Sequence, residues 1–306
     1  MINARFKALI ACLLVLAVLT PVFGVADIDP AFIQEELLKT SPEVSYTAIH
    51  EINGKNYIVY AQNSPDWGKI TAGVKGDAPI KTALCSVFSL SNIIVNCVPY
   101  KNLDAMLPLM IREPNFDTKT VAYNRGYNRK FKFVVNCLED YLRYYPLCLA
   151  NMISGNVRFS AGDVRSRGYY EKLLTQYGLE YVETQDLEEC IELVRQGAMA
   201  SVCTGGGGSP IAPNFGHYFV MASVDDEYVY FLDSVYRDKY KYDKKHVIEI
   251  VTPGVFRVTL ENVTKLSISG SKFVVWPDEN RTNYTDEMLE EAIRVSNEKI
   301  PERPNK

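Results

Sequence analysis

The sequence predicts an α+β protein. Helical patterns occupy the earlier part of the chain, short strands rich in β-branched and aromatic residues fill the last third, and no internal repeat divides it. The composition agrees: 306 residues, 47% hydrophobic and 23% charged, describe an ordinary folded chain and exclude collagen, coiled coil and wholesale disorder. A formal net charge of −4 offers no broad basic surface, so a nucleic-acid partner is not expected.

The first element is a targeting signal. Arg5 and Lys7 precede an apolar run from Ala8 to Val18, and Gly24 and Ala26 supply small residues for cleavage near residue 26. Residues 1–26 are therefore expected to be a cleaved signal peptide, with an uncleaved anchor as the alternative. The chain is then exported, without membrane attachment after cleavage, and a monomer. Residues 27–277 are expected to form one domain, and residues 278–306 an acidic C-terminal extension ending in a short helix.

Within the domain, Pro30–Lys39 reads as a short helix. Ser45–Ile52 and Lys55–Gln62 flank Asn53-Gly54, the dipeptide preferred by a type I′ hairpin turn. Cys85–Val95 is apolar almost all round, the pattern of a helix buried in the middle of a domain. A further helix is expected near Val134–Tyr144. Tyr169–Tyr177 and Leu187–Gln196 are amphipathic helices stopped by Gly178 and Gly197. Six strands are expected after them: Ala198–Cys203, Tyr218–Ser223, Tyr228–Asp233, Val247–Val251, Val255–Leu260 and Lys272–Trp276. In the extension, Thr285 is the expected N-cap of the last helix, with Asp286 and Glu287 in its first turn.

Only 3 His and 7 Cys are present, so the chemistry is confined to few arrangements. Cys85 begins the buried helix, where the helix dipole favours a thiolate. His217 opens a later strand after Gly216, and Asp233 closes the next one. If those strands are antiparallel neighbours joined at Asp225-Asp226, His217 and Asp233 lie side by side at one end of the sheet. The carboxylate then orients the imidazole and stabilises its charged form. No Cys-x-x-Cys or His-Glu-x-x-His occurs, so neither a metal nor an organic cofactor is implied. Cys97, Cys137, Cys148, Cys190 and Cys203 leave two disulfides open in an oxidising compartment, with no readable connectivity. The run Gly205–Gly208 lacks the residues of a phosphate loop and reads as a flap. His50 and His246 read as structural or solvent-facing.

These residues lie in a recognisable setting. Gln62-Asn63-Ser64-Pro65-Asp66-Trp67-Gly68 followed by Ile80-Lys81-Thr82-Ala83-Leu84-Cys85-Ser86-Val87-Phe88 resembles the papain-like cysteine peptidases of the C39-like group. In that group a Gln-x-x-x-x-Trp element precedes the nucleophile helix. Gly197–Val202, Gly216-His217-Tyr218-Phe219-Val220 and Tyr228-Val229-Tyr230-Phe231-Leu232-Asp233 resemble its later strands. The resemblance covers roughly residues 58–97 and 165–236. It implies a papain-like fold, with the nucleophile helix packed on a C-terminal antiparallel sheet. It also implies hydrolysis of a peptide or isopeptide amide in a peptide or protein substrate. Cys85 is then the nucleophile, His217 the acid–base, Asp233 its orienter, and Gln62, with the Cys85 backbone N–H, the oxyanion donor. Leu84 and Ser86 stand where the group carries Gly, and Asp233-Ser234 where it carries Asp-Pro. The expectation is that Leu84 narrows the approach to the thiol and that the altered turn shifts the oxyanion site. Two alternatives stay open: a degenerate peptide- or wall-binding module of the same fold, and an acyl transferase using the same triad.

Overall fold

The computed structural model describes residues 47–64, 71–72, 78–79, 84–105, 120–122, 133–134, 137–156, 167–205, 208–212 and 216–298. The signal segment, the Pro30–Lys39 helix, Trp67 and the centre of the Gly205–Gly208 run fall outside them.

A hairpin, β1 (Ala48–Ile52) and β2 (Lys55–Val59), leads to helix α1 (Cys85–Cys97). Helices α2 (Leu138–Asn156) and α3 (Arg167–Gln176) follow, then strand β3 (Tyr181–Thr184) and helix α4 (Leu187–Arg195). Strands β4 (Met199–Thr204), β5 (His217–Val224), β6 (Tyr228–Leu232), β7 (Glu249–Thr252), β8 (Val255–Thr259) and β9 (Ile268–Val275) come next, and helix α5 (Asp286–Glu298) ends the described chain. The seven strands β3–β9 form one antiparallel sheet in the order β7-β8-β6-β5-β4-β9-β3. The α+β class stands.

Strand alternation gives the sheet two apolar faces. Met199, Val220, Ala222, Leu232, Phe273 and Val275 face a layer containing α1, α2, α3, α5 and the β1–β2 hairpin. Phe219, Met221, Phe231, Phe256 and Val274 face the other way, where Cys190, Ile191 and Val194 of α4 cover them. Every residue of α1 after Cys85 is buried, as its unbroken apolar pattern requires.

Local signals act where the sequence places them. Asn53 and Gly54 both take positive φ, the geometry of a type I′ turn. Gly178 and Gly197 end α3 and the turn after α4 with positive φ. Asp186 caps α4 by accepting from the Glu188 and Glu189 N–H groups, and the Thr285 hydroxyl accepts from Met288 N–H at the start of α5.

Four expectations need correction. The helix expected at Val134–Tyr144 begins at Leu138 and runs on through Pro146 to Asn156. It does so by kinking at Tyr144, where φ −114° and ψ 20° leave the helical range. Burial of Leu142, Tyr145, Cys148 and Leu149 holds both halves against α1 and α5. Strand β3, of sequence Tyr-Val-Glu-Thr, carries too few apolar residues to stand out, and is drawn into the sheet by pairing with β9. Residues 278–298 pack into the domain: Tyr284 is fully buried, its hydroxyl donates to Val95 O, and Leu289, Ala292 and Ile293 join the main core. Finally, none of the described cysteines 85, 97, 137, 148, 190 and 203 is disulfide-bonded. Cys97 and Cys190 are buried as thiols, and burial pushes both pKa values up to about 12.

Candidate active site

Helix α1 is held in place by neutral hydrogen bonds. Asn96 exchanges two bonds with the backbone of Ile58, accepting from its N–H at 2.9 Å and donating to its carbonyl at 2.8 Å. Asn92 accepts from Tyr60 N–H at 3.0 Å. Two side chains of the helix thereby satisfy backbone groups of Ile58 and Tyr60 along the edge of β2. On its sheet side, the Ser89 hydroxyl lies 3.0 Å from the Ser201 hydroxyl on β4, which in turn lies 2.9 Å from the Tyr170 hydroxyl of α3. Ser89 also donates to Phe219 O of β5. These contacts set Cys85, one turn before Ser89, over the start of β5.

Opposite it, β5 and β6 bring their ends together. His217 and Asp233 are nearly fully buried, and His217 Nε2 lies 2.7 Å from Asp233 Oδ1. The Cys85 thiol feels His217 most strongly among its neighbours, and the backbone N–H groups of Tyr218 and Ser86 also favour its ionised form. Asp225 is elsewhere occupied: it caps the β5–β6 turn, accepting from Glu227 N–H, Tyr228 N–H and the Tyr230 hydroxyl. Asp226 is exposed in that turn.

Two glycines allow this closeness. A Cβ on Gly216, just before His217, would stand 3.2 Å from Thr204 O, so Gly lets the strand entry sit tight against β4. His217 N–H then donates to the Thr204 hydroxyl. Gly254 has φ +91°, and a Cβ there would meet the Tyr236 ring at 2.4 Å; its carbonyl accepts from Asp233 N–H at 2.9 Å.

The electrostatics follow from these contacts. Burial drives the imidazole pKa down, but the Asp233 carboxylate and the Cys85 sulfur outweigh it, and His217 is raised to about 9. Burial drives Asp233 up, yet His217, Arg237 and the Val235 N–H hold it below the ordinary carboxylate range. Burial likewise raises the Cys85 thiol, and His217 with the two backbone N–H groups overrides this to bring it below an ordinary thiol. All three shifts favour one charge arrangement: proton on the imidazole, negative charge on sulfur and carboxylate. Cys85 stays only partly buried.

The structure answers the two departures noted in the sequence. Leu84 is fully buried and belongs to the main core cluster. Ser234 makes a contact that Pro cannot: its hydroxyl donates to Gln62 Oε1 at 3.1 Å, while Gln62 N–H donates to Ser234 O. Gln62, buried after β2, is thereby tied to the residue following Asp233, with its amide NH₂ end left as the donor.

Sequence reasoning missed two residues. The Tyr240 hydroxyl donates to Asp233 Oδ2 at 2.9 Å. Arg237 Nε stands 3.3 Å from the same oxygen, too poorly aligned for a hydrogen bond, so its contribution is ionic. Its Nη1 donates to Ile211 O, and its guanidinium lies over the Tyr240 ring. The signal for both is the run Arg237–Lys245 after Asp233, where Arg, Lys and Tyr are interspersed.

No protein-family model matches the chain, and no curated protein matches it.

Proposed function

We propose that the chain is an exported cysteine peptidase-like hydrolase of papain-like fold, acting on a peptide or isopeptide amide. The observation that carries this reading is the buried His217–Asp233 pair at 2.7 Å beside Cys85 at the start of α1, where the thiol pKa falls and the imidazole pKa rises to about 9 under their mutual influence. A thiol and an imidazole shifted toward each other in this way are poised as nucleophile and general acid.

In the reaction, Cys85 Sγ attacks the amide carbonyl carbon, forming a C–S bond as the carbonyl electrons move onto oxygen. The Gln62 amide and the Cys85 backbone N–H, which as the first residue of α1 has no acceptor within the helix, are the donors for that oxyanion. His217 passes its proton to the leaving nitrogen as the C–N bond breaks, leaving a thioester. Water then attacks with His217 as base, releasing the acid and restoring the thiol. Asp233 stays ionised throughout, holding the ring and offsetting its positive charge.

The test is the pH dependence of Cys85 alkylation by iodoacetamide, in the wild type and in His217→Ala. Rapid labelling well below the ordinary thiol pKa, lost in the variant, supports the pair. Equal labelling rates in both proteins would sink it.

A further inference from the structure

The loop that leaves Asp233 builds a second feature that the hydrolytic residues do not use. Between it and the Leu260–Leu266 turn lies a pocket of about 310 Å³, lined by Lys244, Lys245, Lys265, Tyr242, Asp243 and Pro210. Three lysines and one aspartate line it in a chain whose net charge is −4, with the Lys265 ammonium donating to Asn262 Oδ1. That carboxylate is engaged in holding the loop: Asp243 accepts from Val247 N–H at 2.8 Å and Ile248 N–H at 2.9 Å. The far wall is fixed too, because Ser209 is fully buried and donates to Leu266 O, next to Lys265. The lysines themselves are exposed, so the pocket is a preformed cationic recess open to solvent.

Its place relative to the thiol is bounded by the chain. Gly208 lines the pocket, and Thr204, four residues earlier, accepts from His217 N–H. Four residues span at most about 14 Å, the reach of a similar length of extended peptide. The wall of the recess at Gly208 is thereby within about 14 Å of the residue bonded by His217 N–H, a span that a few residues of extended peptide cover. Arg237 links the two from the other side, facing Asp233 and donating to Ile211 O.

We propose that this recess binds a substrate carboxylate, so that the protein selects peptides with Asp or Glu a few residues from the amide that reacts. The selection of acidic peptides rests on the hydrolase reading; the anion-binding recess does not. Three solvent-facing lysines give modest individual attractions that add up and are screened by salt.

The experiment measures fluorescence anisotropy of labelled hexaglutamate and hexaglutamine peptides with the Cys85→Ala protein, which binds without turnover. Hexaglutamate is expected to bind saturably, hexaglutamine not. Adding Lys244→Gln, Lys245→Gln and Lys265→Gln together should weaken hexaglutamate roughly tenfold or more. The same triple change in the Cys85 protein should leave its alkylation rate as in the wild type. Equal binding of both peptides, or an unchanged Kd in the triple variant, would overturn the proposal. So would displacement of hexaglutamate by equimolar inorganic phosphate, which would assign the recess to a free anion. Slow alkylation alongside intact acidic-peptide binding would remove the hydrolase reading and leave the recess standing.

Discussion

Around α1 the buried polar contacts are neutral: Ser89 to Ser201, Ser201 to Tyr170, Asn92 and Asn96 to the backbone of β2. At the ends of β5 and β6 they are charged, with His217, Asp233 and Arg237 converging and Tyr240 donating to the same carboxylate. Both regions fix side chains with comparable closeness, but around α1 burial holds groups such as Cys97 neutral, whereas the second region favours the charged forms of His217 and Asp233. Neutral hydrogen bonds supply position without imposing a field, so the helix places sulfur while the strand ends set its charge. Concentrating buried charge where a proton must move also confines the desolvation cost of those ions to one corner of the fold.

The largest effects should come from the charged corner. Cys85→Ala is expected to reduce turnover of a cleavable peptide to background while leaving the urea unfolding midpoint nearly unchanged, since Ala suits a helix start. His217→Ala should match it in turnover and also abolish fast alkylation. Next, Asp233→Asn should cost about 10⁴ in kcat, the scale seen when the wrong imidazole tautomer is imposed in a serine triad. A loss under tenfold in steady-state kinetics would mean that Asp233 does not control the ring.

The neutral side should respond in stability instead. Asn96→Ala leaves both Ile58 backbone groups buried without partners, costing about 1–3 kcal/mol for each. Urea unfolding should register this, while the pH midpoint of Cys85 alkylation stays where it was. A midpoint displaced as far as in Asp233→Asn would erase the distinction between the regions.

The smallest effect expected is a pH dependence. His217 is held near 9 in the fold against 6.5 for an unperturbed imidazole, so its contribution to stability is complete below about pH 6.5 and lost as pH rises through 9. The difference in unfolding free energy between wild type and His217→Ala should therefore shrink from pH 6 to pH 9.5. Turnover should decline over the upper part of that range as the proton needed by the leaving nitrogen is lost. A stability difference that grows with pH would reverse the sign assigned to the pair.

Much of this protein is written locally. Asn53-Gly54 demands its turn, Gly178 and Gly197 stop their helices, Thr285 caps the last one, and the apolar circumference of Cys85–Val95 can only be buried. The order of Cys85, His217 and Asp233, each at the end of a regular element, was equally legible, because element ends are where backbone geometry and side-chain exposure coincide. Tertiary structure decided the rest. Leu84 is turned into the core, Pro146 sits inside a helix that packing carries past it, and β3 exists through its pairing with β9. Tyr284 fills the core from beyond the expected domain end, and Tyr240 and Arg237 fold back onto Asp233. Backbone preference and amphipathic period are properties of a few neighbouring residues and can be read along the chain. Which distant groups share a buried carboxylate depends on how whole elements cross, and no local window contains that information.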